Sequence, residues 1–257
     1  MLLAINIRNS FLELGIFDGD CLMHTCRIST DRTRTSDQYA ILIRDVFAIE
    51  GYTFDKNTNS VMASVVPELS GVLKRAAKLL IGKEPFVIDE KAKEILGVGQ
   101  MEMAENTVCN ALYIREHYPL PAVLVDNGTT VKLVGVNENG KVAGYAFCAG
   151  IELTLKALTT ATSQLPSIAF RAAPRAMGQT IEEALNAGVI LGAASMIDGM
   201  INRFASELGG LNSVILTGKY TDVLPPLCEH EMIVNDYLAL EGLRLVYGKL
   251  CEKADEK

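Results

Sequence analysis

An internal repeat constrains the fold of this sequence more than any other feature. Placing Leu3 on Val123 also places Ser10 on Thr130 without a gap. In both copies an apolar run ends in a short polar turn, and a second, mostly apolar run follows. This pattern predicts a buried strand, a tight turn and a returning strand. The sequence therefore predicts a duplicated domain.

The second copy of the turn, Asp126-Asn127-Gly128-Thr129, has the chemistry of a phosphate-binding turn. Gly128 lets the backbone approach an anion closely. Consecutive N–H groups and the Thr129 hydroxyl can donate hydrogen bonds to that anion, and the Asp126 carboxylate can hold a cation. A plain hairpin turn remains the alternative interpretation.

The predicted fold class is α/β. Each copy is predicted as three strands followed by helices, which gives two βββαβα-type domains at residues 1–115 and 116–257. Two such hairpins facing each other across a central cleft are the architecture of the actin-like ATPases and sugar kinases, the ASKHA fold. A fold analogy of this kind does not fix function.

Helix boundaries are predicted from capping residues and apolar periodicity. Ser36 is predicted as the N-cap of the first helix. Further helices are predicted over Glu105–His117, Ile181–Leu208 and Leu238–Leu250, the last of them within the second domain. Gly209 is predicted to end the long helix.

The composition indicates a folded protein without a nucleic-acid partner. Hydrophobic residues make up 49% of the chain, which is enough to bury a core in each half. The net charge is −7 and there is no basic run, and these two features argue against nucleic-acid binding. No signal peptide is recognisable, and the longest apolar stretch, Ala187–Ile197, is too short to span a bilayer. We therefore predict no membrane partner and a cytoplasmic location.

The six cysteines have no CxxC spacing, which predicts free thiols. The segment Cys228-Glu229-His230-Glu231 contains metal-capable side chains. No second ligand pair has a matching spacing, so an exposed polar loop is the favoured interpretation.

Several sequence blocks, in order along nearly the whole chain, resemble the type III pantothenate kinases. They are Asn6–Ser10, Phe17–Asp20, Arg27–Arg32 with Arg34-Thr35, Ser64–Pro67, Val125–Thr129, Ala149–Leu153, Gly178 with Glu183–Gly188, Thr217-Gly218 and Leu240–Tyr247. The resemblance implies an actin-like fold, a dimer and ATP-dependent phosphorylation of pantothenate, the first step of coenzyme A biosynthesis. It also implies Mg²⁺ and a monovalent cation, K⁺ or NH₄⁺.

The first turn departs from the family pattern Asp-x-Gly-Asn-Thr. Asn6 stands at the Asp that organises Mg²⁺ and the phosphates, and an amide supplies only a dipole there. Arg8 stands at the glycine beneath the phosphates. Its side chain either blocks the backbone approach or places a guanidinium in the cation or phosphate site.

The predicted nucleotide-binding residues lie on both turns. Asp126 is the predicted metal ligand, because its carboxylate can hold a cation. Lys219 stands where a second glycine usually follows Gly218. The implied nucleotide-binding residues are Asn6, Arg8, Asn9, Ser10, Gly128, Thr129 and Gly218.

The catalytic motif departs as well. The family's Gly-Ala-Asp-Arg, which supplies the general base and holds the substrate carboxylate, falls on Ala104-Glu105-Asn106-Thr107. Asn106 cannot accept a proton at neutral pH, and Thr107 cannot replace a bidentate Arg. A slide of one residue would place Glu105 at the base position, as a substitute.

The other implied substrate-binding positions are also altered. Gly97 stands where the family carries a Tyr that contacts pantothenate. Ile181 stands at a Thr that the partner protomer supplies, and Thr180 is its neighbour and possible replacement. Together with Ala104 and Thr107, these two residues form the predicted substrate-binding set.

Three hypotheses follow. The first is a catalytically degenerate pantothenate kinase that acts as a regulatory protein, or as the noncatalytic half of a heterodimer with an active paralogue. The second is an active pantothenate kinase that uses Glu105 as its base, Asp126 as its cation ligand and Arg8 on a phosphate. The third is an actin-like protein that acts on an unrelated small acid. The predicted small-molecule partner is pantothenate or a related small acid. A homodimer is the expected assembly unless such a paralogue exists.

Overall fold

The computed structural model describes residues 1–90, 93, 102–161, 165, 168 and 175–255. These residues divide into two compact units. One unit comprises Met1–Tyr113 and Tyr237–Lys257, and the other comprises Ile114–Asp236.

The first unit is built on a five-stranded sheet of order β3-β2-β1-β4-β5. β1 pairs antiparallel with β2 and parallel with β4. Its strands are β1 (Leu2–Ile7), β2 (Phe11–Asp18), β3 (Cys21–Ser29), β4 (Asn59–Ser64) and β5 (Phe86–Val87). Its described helices are α1 (Ser36–Ile49), α2 (Pro67–Ile81), most of α3 (Glu105–His117), and α6 (Leu238–Asp255).

The second unit repeats this topology. Its sheet has the order β10-β9-β6-β7-β8, which is the order of the first sheet listed from the opposite edge. β6 pairs antiparallel with β7 and parallel with β9. The strands are β6 (Ala122–Asn127), β7 (Thr130–Val136), β8 (Val142–Ala149), β9 (Ser213–Gly218) and β10 (Ile233–Val234). The described helices are α4 (Ile151–Ala161), α5 (Ile181–Leu208) and the short 3₁₀ helix Pro225–Leu227. The predicted duplication and α/β class are confirmed.

Strand alternation places the polar residues of each hairpin on one face of its sheet. In β1, the side chains of Leu3, Ile5 and Ile7 lie in a core with α1 and α2. Asn6 therefore points to the opposite face. In β6, Val123 and Val125 lie in a core with α5, and Asp126 points away from it in the same manner.

The helix ends follow local chemistry. Thr35, and not the predicted Ser36, caps α1, because the Thr35 hydroxyl accepts from the N–H of Gln38 while the Gln38 side chain accepts from the N–H of Thr35. This reciprocal capping box satisfies two backbone donors. Gly209, with φ of 75°, ends α5 as predicted.

Helix α6 belongs to the first unit, whereas the sequence pattern assigned it to residues 116–257. Its Arg244 forms an ion pair with Asp20, and its Tyr247 ring lies 6.2 Å from the ring of Phe86. These partners are distant in sequence. No periodicity within the helix indicates which sheet it covers.

Helix α5 is long and apolar enough to cross a membrane by length and composition. Of its most apolar window, 56% is buried, and Ile197 and Ile201 pack in the core of the second unit. Asp198 interrupts the apolar sequence, and its carboxylate accepts from the N–H groups of Glu229 and His230. A buried core helix passes the same length and hydropathy test as a membrane span. The burial of α5 identifies it as a core helix.

Alkylation is expected to divide the cysteines into two groups. Cys21 and Cys251 are exposed, whereas Cys109 is buried. Burial raises the pKa of Cys109 far above its usual range, and burial with the Asp198 carboxylate raises the pKa of Cys228 to about 12. Because the thiolate is the nucleophile, both should react slowly. Iodoacetamide labelling of the folded protein, read by peptide mass spectrometry, should modify Cys21 and Cys251 first. Earlier modification of Cys109 would contradict the buried assignment.

Candidate functional site

The first hairpin turn carries a buried polar ladder across three strands. Asn6 is fully buried, and its Nδ2 donates to Glu13 Oε2 over 2.8 Å. Glu13 is also buried, and its Oε1 accepts from the Arg27 guanidinium over 3.2 Å. The register places the three residues directly opposite one another on β1, β2 and β3. Asn6 therefore orients a carboxylate that Arg27 already neutralises.

Arg8 lies at the turn itself, over an aromatic ring. Its guanidinium carbon is 5.7 Å from the centroid of the Phe11 ring, and that of Arg27 is 5.0 Å from the same centroid. The Arg8 carbonyl accepts from the Thr30 hydroxyl over 2.7 Å, and its N–H donates to the Phe11 carbonyl. Two guanidinium groups therefore lie near one ring, and Glu13 balances the charge of Arg27.

Asn9 and Ser10 complete the first turn. Asn9 Oδ1 accepts from Arg32, and the Ser10 carbonyl accepts from the N–H of Thr30. Thr30, which follows β3, therefore donates two hydrogen bonds to carbonyl groups of the turn, at Arg8 and Ser10.

The second hairpin contains a buried ion pair. Asp126 and Lys132 lie directly opposite each other on β6 and β7, with Lys132 Nζ 3.6 Å from Asp126 Oδ2. Asp126 is 3% exposed and Lys132 is 9% exposed. The predicted metal ligand therefore already has a cationic partner.

Two glycines allow the backbone to pack tightly around this turn. A Cβ at Gly150 would lie 2.3 Å from the carbonyl oxygen of Gly128, and one at Gly218 would lie 2.1 Å from that of Asn127. Gly218 also has φ of +104°, which disfavours any other residue. The start of α4 and the end of β9 are thereby fixed against the Gly128–Thr129 turn.

Lys219 is held beside the same turn. Its N–H donates to the Asn127 carbonyl over 2.6 Å, and its own carbonyl accepts from Asn127 Nδ2 over 2.7 Å. Its ammonium binds both Glu152 oxygens at 2.9 Å, and the Tyr220 hydroxyl donates to Glu152. The Lys219 hydrogen bond lowers the pKa of Glu152, while burial and Glu152 raise the pKa of Tyr220 to about 12.

The start of α3 carries the residues aligned with the family's base motif. Asn106 and Thr107 are both buried, and the Thr107 hydroxyl donates to Asn106 Oδ1 over 3.3 Å. Ala104 accepts the first helical hydrogen bonds, from Thr107 and Val108.

Glu105 is engaged in an ion pair. One of its carboxylate oxygens lies 3.2 Å from the ammonium of Lys93, which also binds Glu90 and the Met103 carbonyl. Burial acts to lower the pKa of Lys93, but the bonds and charges of Glu90 and Glu105 outweigh it, so the pKa lies above its ordinary value. Lys93 therefore stays charged and holds Glu105.

The remaining predicted substrate residues lie at the start of α5. The Thr180 hydroxyl accepts from the N–H of Glu183 as the helix N-cap. Ile181 is half exposed. Gly97 lies outside the described residues.

The Cys228–Glu231 segment agrees in part with the predicted exposed loop: Glu229 and Glu231 are exposed, whereas the N–H groups of Glu229 and His230 donate to Asp198 of α5. His230 Nδ1 lies 2.9 Å from Asp198 Oδ1. Among residues 1–90, 93, 102–161, 165, 168 and 175–255, no three His, Cys, Asp or Glu side chains form a metal-binding group.

Sequence reasoning missed Glu13, Arg27 and Lys132 as parts of the two hairpins. A signal existed, because Glu13 and Lys132 each interrupt an otherwise apolar strand. A charged residue within a buried strand is rarely tolerated without a partner.

The fold defines an actin-like α/β protein. The ROK hexokinase of Thermus thermophilus matches with a TM-score of 0.50 at 13% identity, covering 97% of this chain and 99% of that chain. The activator of the 2-hydroxyisocaproyl-CoA dehydratase of Clostridium difficile, solved with bound ADPNP, matches with a TM-score of 0.58 at 10% identity and covers 100% and 97%. Similarity at this identity shows the fold alone.

Sequence comparison identifies the family. The sequence model of the type III pantothenate kinase family matches residues 2–203 of this chain. The type III pantothenate kinase of Geotalea daltonii is 31% identical over 97% of this chain and 98% of its own length, and that of Pelobacter propionicus is 33% identical over 97% and 99%. The chain belongs to the type III pantothenate kinase family.

Proposed function

We propose that this protein is a pantothenate kinase-like chain with impaired phosphoryl transfer, which acts as a regulatory or partner subunit. The family reaction is ATP-dependent phosphorylation of pantothenate. The altered residues lie at the positions that resemblance assigns to the base, the substrate carboxylate and the organisation of the metal, while both hairpins are formed as paired strands.

The observation that most supports this proposal is the set of side chains at the start of α3. A general base must be free to accept a proton from the substrate hydroxyl. Asn106 is a buried amide bonded to Thr107, and neither side chain offers a carboxylate or a guanidinium. Glu105 is the neighbouring carboxylate, and Lys93 binds it.

The hairpin residues do not fit a divalent cation. A hard cation needs several oxygen ligands with net negative charge. Asn6 supplies no charge, Arg27 neutralises Glu13, and Lys132 neutralises Asp126. We therefore assign no catalytic step to Mg²⁺ in this chain, and we assign no site to K⁺ or NH₄⁺.

Nucleotide binding is retained in the proposal. Gly128, Thr129 and Gly218 lie in a close-packed turn whose backbone can approach a phosphate. Arg8 brings a guanidinium to the first turn, beside Asn9 and Ser10. Pantothenate or a related small acid is the proposed second ligand, and a cytoplasmic location is proposed. The assembly would be a homodimer, or a heterodimer in which Thr180 and Ile181 complete the pocket of an active paralogue.

An active kinase with Glu105 as the base is the alternative. One observation favours it: the Glu105 side chain is 23% exposed, whereas Asn106 is buried. Glu105 could then reach a substrate after release from Lys93.

The test measures pantothenate phosphorylation by the purified chain beside the Geotalea daltonii relative, with saturating ATP, Mg²⁺ and K⁺. Turnover should be at least about 100-fold lower in this chain, because loss of a general base costs roughly 10²–10⁴ in rate. Comparable turnover would reject the proposal. In that case Glu105→Gln should abolish activity if Glu105 is the base, whereas the control Glu102→Gln, at an exposed carboxylate outside α3, should retain it.

A further inference from the structure

Two lysines lie close to the second hairpin, and each pairs with a carboxylate of the same unit: Lys132 is on β7, and Lys219 follows β9 and bonds to Asn127. Lys132 pairs with Asp126, and Lys219 pairs with Glu152. The two pairs differ in burial, and this difference suggests different roles.

Lys132 is a built-in cation. Its side chain is 11% exposed and that of Asp126 is 4% exposed. Burying either charge alone is strongly unfavourable, and each charge offsets the burial of the other. A metal ion at Asp126 would have to displace or repel this ammonium. The carboxylate that would hold a metal is thereby already charge-balanced.

Lys219 is a cation that can change partners. Its backbone is fixed by two hydrogen bonds to Asn127, but its ion pair with Glu152 is partly exposed, with Glu152 53% exposed. Exposed ion pairs contribute little to stability. A phosphate oxygen beside the turn can therefore replace Glu152 as the partner of Lys219 at little cost.

We infer that the second hairpin binds the polyphosphate of a nucleotide without a divalent metal, with Lys132 in place of the metal charge and Lys219 bonding the phosphate directly. This inference rests on the nucleotide binding in the proposed function. It extends that proposal by naming the cations and by predicting how binding depends on metal.

The first test is isothermal titration calorimetry, which measures the dissociation constant of ADP from the full chain in EDTA and in excess Mg²⁺. The two dissociation constants should agree within about threefold, which is less than 1 kcal/mol. Lys219→Met should weaken ADP binding about tenfold or more, as expected for loss of a charged hydrogen bond. Lys141→Met, which removes an exposed lysine of the same unit, should leave the affinity unchanged.

The second test makes binding depend on metal. Lys132→Met removes the ammonium beside the Asp126 carboxylate, so Mg²⁺ should now raise ADP affinity at least about tenfold. Should this variant fail to fold, Asp126→Asn with Lys132→Met removes both charges and should bind ADP equally in EDTA and Mg²⁺, but more weakly than the wild-type chain.

Two outcomes would overturn the inference: wild-type binding that requires Mg²⁺, or no ADP binding in either buffer. Neither depends on turnover. Conversely, turnover equal to that of the relative would reject the proposed function even if ADP binding were independent of metal, so the two failures are distinguishable.

Discussion

Lys132→Met is expected to lower the free energy of unfolding by about 3–5 kcal/mol, because breaking a buried ion pair leaves one charge without compensation. The substitution keeps the length and apolar stem of the side chain, so packing changes little. What it removes is the ammonium 3.6 Å from the buried Asp126 carboxylate. Urea denaturation followed by circular dichroism measures the loss.

The double variant Asp126→Asn with Lys132→Met separates charge from packing. Without either charge, the pair has no desolvation cost to offset, and the stability should recover to within about 1 kcal/mol of the wild-type chain. A single variant Lys132→Met as stable as the wild type would show that Asp126 is hydrated or has another cation. It would then contradict the internal neutralisation of this hairpin.

The elements that the sequence predicts best are those whose signals are local. The bounds of β1, α3 and α5 agree with the prediction. β1 is apolar and buried except for Asn6, which is polar and buried, and α5 has a capping Thr180 and an ending Gly209. Thr35 displaced Ser36 as a cap because Gln38 lies at the spacing that a capping box requires.

The charge pattern of the hairpins could not be predicted from the motifs alone. The turns identify Asn6 and Asp126, but their partners Glu13 and Lys132 lie on the returning strands. Which residues lie opposite depends on the register. The first turn is one residue longer than the second, so the ungapped repeat does not align these partners. Only the pairing of the strands reveals that Arg27 neutralises Glu13 and that Lys132 neutralises Asp126.

The predicted base region shows a similar limit. Alignment places Asn106 and Glu105 side by side and leaves both open as the base. The structure distinguishes them by surroundings: Asn106 is buried with Thr107, and Glu105 is bound by Lys93. Lys93 lies 12 residues before Glu105 in the sequence, and no local pattern predicts that they pair.

The placement of α6 on the first unit leads to a second large expected effect. Gly242 lies where α6 crosses α3, and a Cβ at this position would lie 2.6 Å from the carbonyl oxygen of Cys109 and 2.7 Å from its carbonyl carbon. Both are backbone atoms, so a rotamer change cannot relieve the overlap. Gly242→Ala should therefore separate the two helices and lower the free energy of unfolding by about 3 kcal/mol, at the upper end of typical overpacking costs.

Gly248→Ala supplies the matched control, because it makes the same change in the same helix at a position where a Cβ meets nothing within 4 Å. There the only effect is the better helix propensity of Ala, which should stabilise the protein by up to about 1 kcal/mol. The two variants should thus shift the urea midpoint in opposite directions. Equal shifts would mean that α6 does not pack against α3 through Gly242, and that its assignment to the first unit is wrong.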